Sequence, residues 1–117
     1  MATYTKRFLS ESVNGKAILV AATSTPGTLL HTAVSGTADM DELWIYANNT
    51  SANAVKLTIE WGEATAPNGN IEVTVLQESG LVCIAPGLII QNGLTVRAFA
   101  ATTNVITIHG YNHRIAA

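Results

Sequence analysis

Charge is what this chain has least of. Six Lys and Arg with eight Asp and Glu make up 12% of its 117 residues, against roughly 25% for an ordinary globular domain. So few charges cannot cover the outside, and Thr, Asn, Ser, Ala and Gly must share it with apolar side chains. Monomers seldom leave contiguous apolar area uncovered beyond about a few hundred Å². The composition therefore predicts extensive contacts with other chains. A net charge of −2 argues against a nucleic-acid partner, because affinity for phosphate comes largely from clustered cations. Only Lys6, Arg7 and Lys16 gather, near the N-terminus.

Cysteine is nearly absent as well. Cys83 is single, so no intramolecular disulfide forms and the fold does without a covalent staple. Lying in the apolar run from Gly80 to Gly87, it reads as a small buried hydrophobe. No run reaches the roughly 18 apolar residues that span a bilayer, and the first residues lack the apolar stretch of a signal peptide. Together these predict residence in a cytoplasm until assembly, with no membrane partner. A helical period is missing too: no segment repeats its apolar residues every 3.6 positions over three turns.

What is present is alternation. Leu43, Ile45 and Ala47 interleave with Trp44 and Tyr46, and Val55, Leu57, Ile59 and Trp61 with Lys56, Thr58 and Glu60. Period two puts one set in a core and the other on an outer face. The polar segment from Asn48 to Asn53 reads as the loop between them, so Asp41 to Gly62 is expected to form a β-hairpin with Ile45 facing Leu57. Further strands are expected over Lys16 to Ala22, Thr28 to Ser35, Ile71 to Val75, Leu81 to Ala85, Leu94 to Ala101 and Val105 to Tyr111. The run Leu81 to Ala85 is apolar throughout and reads as central. Asn68-Gly69 and Asn92-Gly93 are hairpin-type turn pairs. About eight strands at roughly ten-residue spacing predict an all-β, single antiparallel β-sandwich. Jelly-roll-like order fits best and an immunoglobulin-like sandwich is the alternative. Residues 1–16 read as an extended N-terminal arm with a short strand around Tyr4 to Leu9, and residues 17–117 as the sandwich.

No catalytic constellation stands out. None of the six serines lies in a Gly-x-Ser-x-Gly elbow, and the carboxylates of Glu60 and Glu72 read as solvated surface. His109 and His113, four apart on a strand, lie roughly 13 Å from each other and cannot chelate one ion without a bend; His31 is the remaining histidine. No enzyme activity, metal or cofactor is expected. The outward aromatics and cations are instead candidates for an interface, where Tyr, Trp and Arg are enriched: Trp44, Tyr46, Lys56, Arg97, Phe99 and Tyr111, with Tyr4, Lys6, Arg7 and Phe8 on the arm. The alternative use of exposed aromatics is sugar stacking, which makes Trp44, Tyr46 and Phe99 candidates for a glycan-binding module.

The polar arm TYTKRFLSESVNGKA, the LLHTAVSGTADMDELWIYANNTSANAVKLTIEWG block, the ESGLVCIAPGLIIQNGLTVRAFA block and the NVITIHGYNHRIA ending resemble small all-β virion proteins of tailed bacteriophages. The resemblance covers nearly the whole chain and rests on texture, with no residue-level motif. It implies a capsid decoration, or cement, protein: one that binds the assembled head from outside, commonly as a trimer, and bridges units of the major capsid protein. A tail, head-completion or fibre-base subunit of the virion is the alternative it leaves open.

Overall fold

The computed structural model describes residues 2–117. Nine strands form two antiparallel sheets, with no helix among the described residues. The strands are β1 (Thr3–Phe8), β2 (Ile18–Leu19), β3 (Thr28–Thr32), β4 (Met40–Asn49), β5 (Val55–Trp61), β6 (Asn70–Val75), β7 (Val82–Ile90), β8 (Thr95–Ala100) and β9 (Ile106–Ala116). One sheet has the order β1-β9-β4-β7, with β2 also on β9; the other is β3-β8-β5-β6. Set β1 aside, and the remaining eight strands pair first with last, second with seventh, third with sixth and fourth with fifth: β2 with β9, β3 with β8, β4 with β7, β5 with β6. That is one long antiparallel ribbon rolled into two layers, the jelly roll. An immunoglobulin-like sandwich, the alternative, has a different order.

The segment from Asp41 to Gly62 is not a hairpin. β4 pairs with β7 and β9, whereas β5 pairs with β6 and β8 in the other layer. The alternation itself holds: Leu43, Ile45 and Ala47 from one layer and Val55, Leu57 and Ile59 from the other are all buried in the same core. Period two records which face is apolar and not which strand is the neighbour. The crossing is fixed by buried Asn49, whose Nδ2 donates to the carbonyls of Asn53 (2.8 Å) and Val75 (2.9 Å) while its Oδ1 accepts from Ser51 N at 2.9 Å.

Three smaller expectations change. β7 is an edge strand with Cys83 exposed; its apolar residues do not make it central, and Cys83 is no buried hydrophobe. Asn92 and Gly93 both have positive φ, 64° and 68°, as a type I′ turn requires; Asn68-Gly69 instead lies inside a longer loop closed by the Gly69 N to Thr65 O bond. Within residues 1–16, β1 runs along β9 of its own chain, every side chain exposed, and Leu9 then turns into the core.

Glu60 faces outward from β5 yet is 2% exposed, because the loop from Thr23 to Gly27 folds over it. Its carboxylate accepts from Thr25 Oγ1 at 2.5 Å and from Gly27 N at 2.6 Å. Gly27 must be glycine there, since a Cβ would lie 2.6 Å from the backbone of Ala98. Glu60→Ala leaves the Gly27 amide and the Thr25 hydroxyl without their acceptor, and is expected to cost about 2 kcal/mol in urea unfolding. Glu72→Gln, which breaks only an exposed pair with Lys56, should cost about 0.5 kcal/mol or less. Equal losses would show that the clasp contributes nothing particular.

Candidate functional site

The outer face of the five-stranded sheet gathers most of the aromatic residues. Alternation along β4 points Met40, Glu42, Trp44, Tyr46 and Asn48 outward, opposite to its buried residues. The register with β9 sets Tyr111 beside Trp44, His113 beside Glu42 and His109 beside Tyr46. On the far side of β9, β1 places Phe8 beside Tyr111, Lys6 beside His113 and Tyr4 beside Ile115. On β7, Ile89 lies beside Glu42, and register shifts bring Pro86 to Trp44 and Cys83 to Tyr46. Tyr4 is 69% exposed, Phe8 58% and Ile89 56%. The result is an apolar band four strands wide, crossed by few charges.

Its centre is held in place. The Trp44 indole N–H donates to Glu42 Oε1 at 3.0 Å, and His113 Nδ1 lies 3.2 Å from the same oxygen. The hydrogen bond from Trp44, followed by that from His113, holds the Glu42 carboxyl below its ordinary range. Trp44 and Tyr111 stack with ring centres 6.2 Å apart and planes 14° from parallel, and Tyr111 meets His113 edge-on at 5.4 Å. Lys6 Nζ sits 4.9 Å over the Tyr111 ring. Gly87 leaves room for the indole: a Cβ there would come 3.0 Å from Trp44 Cζ2.

The ten interface candidates do not form one patch. Tyr4, Lys6, Phe8, Trp44, Tyr46 and Tyr111 share this face, whereas Arg7, paired with buried Asn112, has the opposite parity on β1. Lys56, Arg97 and Phe99 belong to β5 and β8, in the other layer. There Arg97 Nη1 donates to Gly27 O at 3.2 Å and Lys56 pairs with Glu72 at 3.4 Å. Phe99 is therefore separated by the whole sandwich from Trp44 and Tyr46, and these three cannot grip one sugar.

A cluster that the sequence pattern did not single out lies inside. Asp41 on β4 is fully buried; its Oδ1 accepts from Arg114 Nε at 2.7 Å, and its Oδ2 from Arg114 Nη2 (3.1 Å), Val34 N (3.1 Å) and His31 Nε2 (2.8 Å). His31 Nδ1 accepts from Ser10 N at 2.9 Å. That bond requires a lone pair on Nδ1, so His31 is neutral with its proton on Nε2. Burial depresses the imidazole's affinity for a proton more than the neighbouring Asp41 raises it. Both ring nitrogens are committed, and the contact to Ser10 is through its backbone, so this histidine, aspartate and serine tie β3, β4, β9 and the segment after β1 together without activating a nucleophile. Asp41 shares the parity of Leu43, Ile45 and Ala47, which was the readable sign that it points inward.

Among the described residues no group of three or more His, Cys, Asp or Glu is placed to hold a metal ion. The fold thus defines a jelly-roll β-sandwich with an aromatic outer face. Comparison with protein-family models, with curated proteins and with solved structures finds no match to the chain.

Proposed function

We propose that this chain is a structural virion protein of the capsid decoration type, attaching to an assembled head as a homo-oligomer, and that it attaches through the outer face of the β1-β9-β4-β7 sheet. The observation that carries the binding part of the reading is the ordered aromatic band: Trp44 and Tyr111 are stacked and pinned, and Tyr4, Phe8 and Tyr46 extend them across the sheet. Rigid, half-buried Trp and Tyr lose little entropy on docking and are the usual centres of protein interfaces. The resemblance to phage virion proteins supplies the identity of the surface they dock on. Attachment by mass action stabilises the assembled shell relative to its parts without chemistry.

Purified protein is expected to scatter light as a homo-oligomer, a trimer on the virion reading, and to bind heads that lack it. Trp44→Ala should weaken that binding about thirtyfold, the effect of losing roughly 2 kcal/mol at a hot spot, in protein whose circular dichroism shows it still folded. Cryo-microscopy should count hundreds of copies per head. A monodisperse monomer with no affinity for heads overturns the proposal, and a handful of copies at one vertex moves the protein to the tail or head-completion site.

A further inference from the structure

The two strands on the outer side of β9 leave a gap. β1 ends with Phe8 opposite Tyr111, and β2 begins with Ile18 opposite Ile108. Between them Leu9 dives into the core, and the chain returns through a loop containing Gly15. A cleft of about 630 Å³ opens at this interruption, lined by Lys6, Arg7, Phe8, Gly15, Gly110 and Tyr111. Two glycines shape it. Gly110 contributes bare backbone to its lining, and Gly15 lets its loop close on the Phe8 ring, a Cβ there lying 3.3 Å from Phe8 Cε1.

The lining is apolar apart from Lys6 and Arg7; Lys6 sits over the Tyr111 ring, and among the described residues neither cation has an acidic partner. Among the described residues, Lys56 pairs with Glu72 and Arg114 with Asp41, whereas Lys6 and Arg7, like Lys16 and Arg97, have no carboxylate within ion-pair distance. The chain as a whole is negative, so two cations in the lining of one apolar slot are a local concentration of positive charge.

We infer that this cleft seats an acidic segment of the partner protein, with an apolar or aromatic side chain against Phe8 and Tyr111 and acidic residues beside Lys6 and Arg7. The inference rests on the reading that the chain docks on another protein and names the chemistry of what is docked. Charge complementarity selects the occupant: a neutral apolar segment would leave both cations without an acidic partner, and a nucleic acid would use the cations without needing the slot.

The test uses the full chain, labelled with ¹⁵N, at low ionic strength. The probes are a capped pentapeptide of one phenylalanine among four glutamates, the same peptide with lysines, and a short single-stranded oligonucleotide. The glutamate peptide is expected to shift the amides of Phe8, Gly15, Gly110 and Tyr111 saturably, and the lysine peptide to shift none. The K6E/R7E double variant should weaken binding about tenfold or more, as should Phe8→Ala, with melting unchanged because all three side chains are exposed. Equal binding of the lysine peptide, or no shifts at all, overturns the inference. Oligonucleotide binding that depends on Lys6 and Arg7 but not on Phe8 also overturns it and marks a polyanion site. Heads that bind wild type and K6E/R7E alike refute the cleft and leave the decoration reading standing; peptide binding without head binding does the reverse.

Discussion

Asp41→Ala is expected to lower the unfolding free energy by about 3 kcal/mol, near the lower end of the cost of removing one partner from a buried ion pair. For a chain of this length that is roughly a 10 °C fall in Tm. Asp41 is the single acceptor for Arg114, the His31 N–H and the Val34 amide. Without it the His31 and Val34 donors are stranded in the core, while Arg114, with a quarter of its side chain exposed, turns its charge toward water and keeps the loss from being larger. Asp41→Asn retains the volume and one acceptor and should cost less than the alanine. If the alanine variant unfolds within about 0.5 kcal/mol of wild type, the cluster is not what joins the layers.

The same cluster sets two pH windows. Burial depresses the His31 pKa from its ordinary 6.5, so on acidification the unfolded chain takes that proton first. Its contribution to stability is complete above pH 6.5 and declines as pH falls toward the lowered folded value. For Asp41, burial by itself acts upward, but the bonds from Arg114 and His31 outweigh it and leave the carboxyl below its ordinary 3.8. That contribution is complete above the ordinary value and is lost as pH falls through the folded one. Urea midpoints measured from pH 8 to pH 3 should drop in both windows, and His31→Gln should flatten the upper one. An unchanged upper window in His31→Gln would show that His31 is not its source.

Much of this architecture was legible because a sandwich writes its inner faces as alternation. Leu43, Ile45, Leu57, Ile59, Val96 and Ala98 are all in the core, and their parity alone places them. Parity is silent about neighbours, which is why β4 and β5 read as a hairpin although they lie in different layers: a loop rich in Asn and Ser suits a tight turn and an Asn49-clasped crossing equally well. It is silent about cover, too. Glu60 has the parity of a solvated residue and is buried only because a loop more than thirty positions earlier folds onto it. The aromatic face was half legible. Trp44 and Tyr46 were visibly outward, but their company was not, since Tyr111 and Phe8 reach them through pairings that span most of the chain, and Phe99 has the same outward parity on the opposite layer.

Gly110→Ala is expected to be as damaging as any single substitution in the protein. Gly110 lies mid-strand in β9, directly opposite Ile45, in the pair of long strands at the middle of the larger sheet. A Cβ there would stand 2.1 Å from the carbonyl oxygen of Trp44, 3.2 Å from its carbonyl carbon and 3.3 Å from the Cα of Ile45. All three are backbone atoms of β4, so no side-chain rotation relieves the overlap, and the strands must separate or bulge. Overpacking ordinarily costs about 1–3 kcal/mol; with only backbone to yield, about 3 kcal/mol or more is expected, and the indole of Trp44 should change its fluorescence as its strand moves. Gly80→Ala is the control. An added methyl there meets nothing within 4 Å and bears only the strain of φ +70°, about 1 kcal/mol. If the two substitutions cost the same, close approach to β4 is not what requires glycine in β9.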